Sequence, residues 1–355
     1  MSAGPVPAEV IDAGQRIEVE RAWPGRGKLT FAGSDPRGRV RAGSVDRQGQ
    51  VKLLAHAVDP KLPGLSELAA HGRLVAHRPG KRAVIAVESG FVKLTRSPVA
   101  PVVERAERGE RIAAAAGLAA AAVLEHGEDR VRFSVVPGTD AHHLGGVATA
   151  RSWRSWWGDF GEAWVDFAGA PTDGLPLHDA EAELAVVQRW VDRAIDFGAA
   201  DPVLARRGLA ALAPVLLAAA GPVGVSHRDL HDKQVMFADA GVGILDFDTL
   251  AWGELALDQA NLIEHAQLRR RQGRWSPQAA AVVERTGFDL AERLQVPAPR
   301  LAAYRWATRL RLGCVYAFRP PWRELAALLL AEAADEDFLI DTSPNPPADR
   351  EESVS

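Results

Sequence analysis

The chain has 355 residues, which is sufficient for about two domains or one two-lobed unit with a large core. Apolar residues make up 47% of the sequence and charged residues 25%, as in an ordinary globular protein. The formal net charge of -4 gives no support to nucleic-acid binding, and Cys314, as the single cysteine, excludes an intrachain disulfide and fits a reducing compartment.

The N-terminal 70 residues are predicted to be rich in strands. Their first residues lack the basic start and apolar core of a signal peptide. From about residue 15 to 54, short apolar runs alternate with Gly, Asp and Arg turns, as at 28–32 and 51–54, and this pattern indicates β-strands. A breaker-rich segment at 59–64 predicts the end of this first unit.

Three strand-like runs at hairpin spacing come next, followed by one helix. The runs cover 73–76, 82–87 and 91–95, with turns at 78–81 and 88–90. Pro98 and Pro101 lead into a helical pattern over 102–116 that ends at Gly117. A further strand pattern covers 131–136 and ends in Pro137 and Gly138.

Helical patterns dominate after Gly138, apart from one hairpin around Asp239-Ala-Gly. The longest apolar run, 209–220, is too short to cross a bilayer and contains Pro214. We therefore expect a cytoplasmic protein with no membrane partner. Residues 343–355 are rich in Pro, Ser and acidic residues, which predicts a disordered tail.

The segment 227–248 contains the residues that best support catalysis. Its strands at 235–238 and 242–247 are joined by a turn centred on Ala240, and Gln234 and Asp246 each lie six residues from that centre. An antiparallel hairpin would place the two residues opposite each other, with Cβ atoms roughly 5 Å apart. Amide and carboxylate oxygens are the ligands that Mg²⁺ takes from protein when phosphates supply the others.

Asp229 lies five residues before Gln234, in a loop that enters the same end of the hairpin. A carboxylate there could accept the proton of a hydroxyl that attacks a γ-phosphate. Each of these acids alone is more often an ordinary turn residue. Together they form the combination of base and metal ligands that phosphoryl transfer needs.

The pattern His227-Arg-Asp229, four residues, Gln234, and then Asp246-Phe-Asp248 resembles the catalytic and metal loops of kinase-fold enzymes. It is closest to the aminoglycoside phosphotransferase, choline kinase and maltokinase group, and the resemblance covers roughly 74–330. It implies an α+β, bilobal protein-kinase-like fold with an antiparallel β-sheet N-lobe that carries one helix, a mainly α-helical C-lobe and a strand-rich N-terminal extension. It also implies ATP and Mg²⁺ as cofactors.

Three positions depart from the pattern of most of that group. Gln234 stands in place of Asn, Arg228 in place of Gly, and Asp248 in place of the Gly of Asp-Phe-Gly. Gln234 keeps the amide oxygen, and Asp248 is expected as a further metal ligand. The resemblance divides the chain into an extension (1–70), a nucleotide-binding N-lobe (71–136), a helical C-lobe with the catalytic and metal loops (137–342) and a tail (343–355).

The resemblance also assigns the nucleotide phosphates a cation, normally a strand lysine that is paired with a helix glutamate. Lys93 and Glu107 match these positions, and the turn at 78–81 stands where the phosphate-covering loop belongs. A lysine in mid-strand is about as often a solvent-facing residue, and Glu104 and Glu110 share the helix face of Glu107. Asp258 resembles the structural aspartate that anchors the catalytic loop.

A small-molecule hydroxyl is the expected acceptor, because 252–258 lead at once into a helix predicted over 259–268 and leave no room for the activation segment of protein kinases. Sugars, amino sugars and aminoglycosides all fit. The segment 158–201 contains ten acidic residues and two basic ones. This excess would either attract a cationic acceptor or lie on solvent-exposed helix faces. Four tryptophans would either stack on sugar rings or pack in the core: Trp153, Trp156, Trp157 and Trp164.

Two other functions stay open. A catalytically inactive kinase-fold protein would bind nucleotide in a regulatory role without turnover. A metal hydrolase would use His227, Asp229 and His231, which share one face of a strand, but this function leaves the residues matched to nucleotide and magnesium binding without a role.

Overall fold

The computed structural model describes residues 5–335 except 13, 97 and 219. The predicted tail at 343–355 lies outside the described residues. The chain forms an N-terminal sheet followed by a strand-rich lobe and a helical lobe, which is the α+β architecture expected from the sequence.

The N-terminal sheet has five antiparallel strands in sequential order. They are β1 (Glu9–Asp12), β2 (Gln15–Pro24), β3 (Lys28–Ser34), β4 (Val40–Asp46) and β5 (Val51–Leu53). The strands predicted at 28–32 and 51–54 correspond to β3 and β5. Because the runs are short and joined by tight turns, each strand pairs with its neighbour in sequence.

Strand β2 contains a β-bulge between Val19 and Arg21. Before the bulge the odd-numbered residues of the strand are buried, and after it the even-numbered ones are. An extra residue reverses the faces of all later side chains in a strand. The bulge therefore turns Arg21 and Trp23 away from the core of the N-terminal sheet.

The strand-rich lobe is a five-stranded antiparallel sheet in the order β10-β11-β8-β7-β6, with helix α2 packed on it. Its elements are α1 (Leu65–Ala70), β6 (Arg73–Arg78), β7 (Arg82–Val87), β8 (Gly90–Thr95), α2 (Ala100–Ala115), β9 (Ala119–Ala120), β10 (Val123–His126) and β11 (Arg130–Phe133). The three predicted strands and the predicted helix are confirmed. The strand expected over 131–136 ends at Phe133.

Six short strands of the helical lobe form two small sheets, one of which also includes β9. The strands are β12 (Thr139–Asp140), β13 (Leu177–His178), β14 (Val223–Ser226), β15 (Val235–Ala238), β16 (Gly241–Ile244) and β17 (Ala251–Glu254). The β15–β16 hairpin is the one predicted around residues 239–241.

The helices of this lobe pack around a large apolar core. They are α3 (Ala141–Leu144), α4 (Ala150–Ala168), α5 (Ala180–Asp196), α6 (Pro202–Leu217), α7 (Ala256–Arg271), α8 (Pro277–Arg293), α9 (Ala298–Tyr316) and α10 (Arg323–Ala333), with 3-10 turns at Phe247–Thr249 and Pro320–Trp322. Among the described residues, we find no helix whose length and apolar character would let it span a membrane.

The N-terminal sheet packs on both lobes. Val40 of β4 lies against the hydrophobic cluster formed by β6, β7 and β8. The buried residue Phe31 of this sheet belongs to the same hydrophobic cluster as Val187 of α5 and residues of α9. The Ala22 N–H donates to the carbonyl of Phe318 over 2.8 Å. Strand β2 is thus fixed against the helical lobe immediately after α9.

Candidate active site

The catalytic loop, residues 227–234, is anchored by a buried carboxylate at the start of α7. Asp258 accepts hydrogen bonds from Ser226 Oγ (2.9 Å), from the His227 N–H (2.7 Å) and from the Arg228 N–H (2.8 Å). Full burial raises the pKa of Asp258, although these hydrogen bonds oppose the rise. The anchoring role expected for Asp258 is confirmed.

His227 braces the catalytic loop against the metal loop, residues 245–248. Its Nε2 lies 2.8 Å from the Leu245 carbonyl, and its Nδ1 lies 3.3 Å from the Asp229 N–H. The ring therefore donates through Nε2 and accepts through Nδ1. Because both nitrogens face backbone groups, His227 has no lone pair free for a metal, which counts against the hydrolase function.

The predicted pairing of Gln234 with Asp246 is wrong by one residue. The hairpin has a two-residue turn in which Ala238 pairs with Gly241, so Gln234 pairs with Leu245, whose N–H donates to the Gln234 carbonyl over 2.8 Å. Asp246 lies one step beyond the ladder. Gln234 therefore pairs with the neighbour of Asp246 and does not face Asp246 itself, as the magnesium prediction required.

Asp246 adopts a left-handed backbone conformation with φ +60°, which is uncommon for a residue other than Gly. It follows the last paired residue of the hairpin and precedes the turn at Phe247–Thr249. Its Oδ1 lies 3.4 Å from the Asp248 N–H. This conformation brings Asp246 and Asp248 to the same side of the metal loop, toward Lys93.

Lys93 of β8 forms ion pairs with both acids of the metal loop. Its Nζ lies 3.6 Å from Asp246 Oδ1 and in direct contact with Asp248 Oδ2. Arg82 at the start of β7 reaches Asp248 Oδ2 from 3.3 Å. Burial alone would raise the pKa of Asp246, but Lys93 and Arg82 outweigh it and hold this pKa below its ordinary value. The carboxylate is therefore ionised near neutral pH.

The expected ion pair between Lys93 and Glu107 is not formed. Glu107 lies on an exposed position of α2, while the side of the helix that faces the metal loop carries Ala106 and Gly109. A Cβ atom on Gly109 would overlap the ring of Phe247. This close approach turns Glu107 outward, and Lys93 pairs with the metal loop instead.

Asp229 lies at the open end of the site. Its side chain is 47% exposed, and its Oδ2 lies 3.9 Å from His231 Nε2. The His231 ring stacks on that of His265, with centroids 4.6 Å apart. Asp229 is thus accessible to a ligand, on a loop that Asp258 and His227 hold rigid.

A cavity of about 560 Å³ lies between the two lobes. One group of its lining residues is apolar or belongs to the connection between the lobes: Ala83, Val84, Phe133, Val135, Val136 and Met236. A second group is charged: Arg82, Lys93, Asp140, Lys233, Asp246 and Asp248. Asp229 and Gln234 lie on the adjoining loop and are not part of this lining.

Some residues of the site escaped the sequence interpretation. Lys233 belongs to the catalytic loop, and Asp140 caps α3 and lies two residues after Gly138. Arg82 directly follows the predicted phosphate-covering turn, which is the signal that could have indicated it.

The predicted phosphate-covering turn, residues 78–81, is held by a buried acid of the N-terminal region. Asp59 accepts hydrogen bonds from the Gly80 N–H (2.6 Å), from the Lys61 N–H (2.9 Å) and from the ring of His77 (2.9 Å). Gly80 has φ +66°, a conformation that favours glycine. The breaker segment predicted at 59–64 therefore fixes the shape of the turn.

A second buried acid supports the catalytic loop from the helical lobe. Asp232 accepts two hydrogen bonds from Arg269 (2.7 and 3.0 Å) and one from His142 (2.6 Å). Burial would raise the pKa of Asp232, yet Arg269 and His142 hold it well below its ordinary value. His231, Asp232 and His265 lie close enough to share an ion, but Arg269 already occupies the carboxylate.

The acid-rich segment 158–201 forms helix caps and surface ion pairs. Asp179 and Asp201 cap α5 and α6, and Glu162 pairs with Arg293 at 2.8 Å. The residues of this segment are not among those that line the cavity. The excess of acidic residues therefore does not face the interlobe cavity, and its effect on an acceptor at Asp229 stays a prediction.

The tryptophans of α4 pack in the core. Trp153, Trp157 and Trp164 are at most 2% exposed, and Trp156 stacks on Phe237 with ring centroids 5.5 Å apart. Of the two interpretations of this cluster, packing is the one that the structure supports.

Residues 81–313 match the model of the Phosphotransferase enzyme family, as the motifs in 227–248 predicted. No curated protein matches the sequence. Among solved structures, an ADP-bound aminoglycoside phosphotransferase superposes with a TM-score of 0.51 at 12% identity and covers 79% of this chain and 99% of that chain.

A choline/ethanolamine kinase family protein from Mesorhizobium loti superposes with a TM-score of 0.50 at 13% identity, over 77% of this chain and 97% of that chain. An aminoglycoside phosphotransferase from Streptomyces rimosus is 20% identical, with a TM-score of 0.48 over 72% of this chain and 96% of that chain. The likeness to the first two structures confirms the predicted bilobal, protein-kinase-like fold class.

Proposed function

The chain belongs to the phosphotransferase enzyme family, and on that basis we propose that it transfers the γ-phosphoryl group of ATP to a hydroxyl of a small molecule. The observation that carries the proposal is the charged cluster in the interlobe cavity, where Lys93 and Arg82 meet Asp246 and Asp248. Cations and metal-binding oxygens in one cleft are what phosphoryl transfer requires, because positioning and charge neutralisation supply most of the catalysis.

The apolar residues of the cavity lining suit the adenine base. Ala83 and Val84 of β7 lie on one side and Met236 of the hairpin on the other, and the connection between the lobes offers backbone groups beside them. An adenine nucleotide is further supported by the ADP that the structurally similar aminoglycoside phosphotransferase binds. ATP would then direct its phosphates toward Lys93.

The oxygens near the metal loop fit Mg²⁺. Asp246, with Gln234 and with Asp248 as a further ligand, would hold the ion through hard oxygen donors, and the ionised state of Asp246 suits that task. Bound Mg²⁺ would neutralise charge on the phosphates. Lys93 would exchange its contacts with the two acids for contacts with the α- and β-phosphates.

Asp229 is the proposed base. Its exposed carboxylate would orient the acceptor hydroxyl and accept the proton as the oxygen attacks the γ-phosphorus. The bond from that phosphorus to the bridging oxygen breaks, and ADP leaves with the electron pair. Glu107 is not retained in the nucleotide site, because it is exposed and lies away from Lys93.

The Asp229→Asn variant tests this assignment. We expect turnover to fall by about 10²–10⁴-fold, since the amide cannot accept the proton, while the affinity for Mg²⁺·ATP changes little. Turnover would be followed as ADP formation over a panel of sugars, amino sugars, aminoglycosides and choline-like alcohols. Asp239→Asn, in the exposed hairpin turn, is the matched control.

Near-normal turnover of Asp229→Asn would refute the role of the base. Binding of Mg²⁺·ATP without turnover on any acceptor would instead favour the alternative of a catalytically inactive, nucleotide-binding regulatory protein.

A further inference from the structure

The N-terminal sheet contributes directly to the interlobe cavity. Arg21 and Trp23 of β2 are among the lining residues, as is Arg78 at the end of β6. The bulge in β2 turns its two residues away from the core of their own sheet, and the bond from Ala22 to Phe318 fixes this strand against the helical lobe. All three lining residues precede 81–313, the segment that matches the family, so the family match assigns them no role.

Arg21 and Arg78, the arginine pair, share one aromatic ring. Their guanidinium carbons lie 5.2 and 5.3 Å from the centroid of the Trp23 ring, which is the distance of a cation–π contact. Such a contact positions a guanidinium group through the face of the ring and leaves its N–H donors unused. The donors of both groups are therefore available to a ligand in the cavity.

The arginine pair has no carboxylate partner in the described part of the chain. The Nε atoms of both residues are buried without a hydrogen-bond partner, and among the described arginines with such an Nε atom only these two line the cavity. A partly buried cation without an acid is unfavourable, so that an anion from outside the chain would stabilise the pair. Three buried arginines of the helical lobe differ, because each pairs with an acid: Arg269 with Asp232, Arg300 with Glu254 and Arg305 with Glu264.

The strand register places Arg78 beside the charged cluster around Lys93. Arg78 lies directly opposite Arg82. Two residues further along β7, Val84 lies opposite Lys93, and residues two apart in a strand share a face. Like charges that lie opposite each other destabilise a sheet, and Asp248 already pairs with Arg82 and Lys93. The sheet therefore faces the cavity with three cations, of which Arg78 is the one without an acid.

We propose that Arg21 and Arg78, positioned by Trp23, bind phosphate groups of the nucleotide, so that the N-terminal sheet forms part of the nucleotide site. This inference rests on the proposed function and extends its site to the first strands of the chain. ATP in its proposed orientation directs its phosphates toward Lys93, on the face of the sheet that also carries Arg78. Phosphate oxygens accept charge-assisted hydrogen bonds from guanidinium groups, often two at a time, and they would supply the acceptors that the arginine pair lacks.

The test compares a ligand that carries phosphates with one that does not. A non-hydrolysable ATP analogue with Mg²⁺, and adenosine alone, are titrated calorimetrically into the full chain. Arg21→Gln and Arg78→Gln should each weaken binding of the analogue about tenfold or more, because a charge-assisted contact is lost. Their affinity for adenosine should stay within about twofold of the wild-type value, since adenosine has no phosphate and the substitutions lie away from its contacts.

Arg26→Gln, in the exposed turn after β2, is the matched control and should bind both ligands as wild type does. Thermal melting checks that each variant is folded, and Arg78→Gln tests the pair from the other sheet if Arg21→Gln does not fold. Unchanged affinity of a folded variant for the analogue overturns the inference and leaves the proposed function standing. An equal loss of affinity for adenosine also overturns it, because the arginines would then shape the cavity without binding phosphate.

A third titration separates the nucleotide from the acceptor as the source of the phosphate group. Inorganic phosphate is added to wild type and to Arg21→Gln, each saturated with Mg²⁺ and the analogue. We expect no binding that depends on Arg21, because the phosphates of the analogue occupy the arginine pair. Phosphate binding that is lost in Arg21→Gln would assign the pair to a phosphorylated acceptor and overturn the inference. Wild type that fails to bind the analogue at all rejects the proposed function itself.

Discussion

At the residue scale, the site is organised by Lys93. Its ammonium contacts Asp248 and lies 3.6 Å from Asp246, so that one cation holds both acids of the metal loop. The same cation keeps the pKa of Asp246 low against the effect of burial. Under the proposed function, Lys93 would prepare the acids for a metal and would move onto the phosphates when the nucleotide binds.

Replacing Lys93 by Met should weaken the binding of Mg²⁺·ATP by about tenfold or more, because a charge-assisted contact with the phosphates is lost. Glu107→Gln should leave that affinity within about twofold, since surface substitutions away from a site have small effects. Nucleotide titrations of both variants measure the difference. A larger loss in Glu107→Gln than in Lys93→Met would show that the helix glutamate does support the lysine.

The residue types of the site could be predicted from the sequence, whereas their partners could not. Lys93, Asp246 and Asp248 were identified, but the pairing of the lysine depends on how closely α2 approaches Phe247, and this approach is decided by Gly109 in another part of the chain. The register of the hairpin depends on whether its turn contains two or three residues. A turn of two residues in place of three moved Asp246 out of the ladder.

At the element scale, the turn after β6 is held in shape by a residue of the segment that precedes its lobe. Asp59 holds the Gly80 N–H at 2.6 Å and the His77 ring at 2.9 Å. The breaker composition at 59–64 predicted a boundary, yet the same segment also carries the acid that supports the phosphate-covering turn. Sequence patterns predict where such segments interrupt the secondary structure. They do not show which distant backbone N–H will donate a hydrogen bond to the acid.

The Asp59→Ala variant should lose about 1–3 kcal/mol of unfolding free energy, because buried donors at Gly80, Lys61 and His77 lose their acceptor. Its KM for ATP should rise more than its kcat falls, since the proposed function places this turn over the nucleotide. Urea unfolding and steady-state kinetics measure the two effects.

Asp46→Ala is the matched control, since Asp46 accepts comparable hydrogen bonds from Gln48 (3.0 Å) and Gln50 (2.8 Å) in a turn far from the cavity. An unchanged KM for ATP in Asp59→Ala would mean that the turn keeps its shape without this acid.

At the scale of the whole molecule, buried histidines couple stability to pH. The pKa of His265 lies well below its ordinary value of 6.5, because complete burial disfavours the charged ring and His231 and Arg269 add repulsion. Burial also lowers the pKa of His77, against the pull of Asp59. Below about pH 6.5 the unfolded chain binds protons at these sites that the folded chain does not bind. Stability therefore falls as the pH falls.

Between pH 7 and pH 5, His265→Asn should reduce the slope of unfolding free energy against pH by up to about 1.4 kcal/mol per pH unit. Urea unfolding at several pH values gives the slope, and exposed His126→Gln is the control. If the slope of His265→Asn equals that of wild type, the His265 ring is protonated in the folded state, and the downward direction assigned to its pKa is wrong.

The overall fold class was predictable, because the strand and helix patterns and the motifs at 227–248 agree with one another. The place of the N-terminal sheet was not. Its contact with the helical lobe depends on apolar residues such as Phe31 that any buried strand carries. The predicted boundaries after residues 70 and 136 remain a prediction.

Phosphoryl transfer itself is tested most directly by following a label from ATP that carries radioactive γ-phosphate. The wild-type chain would be incubated with Mg²⁺, the labelled ATP and the acceptors of the panel extended with sugar phosphates and sugar acids. We expect the label in an acceptor, one ADP for each labelled product, and transfer by Asp229→Asn that is slower by about 10²–10⁴-fold. Label that appears only as inorganic phosphate, or label transfer by Asp229→Asn at a near-normal rate, would contradict the account.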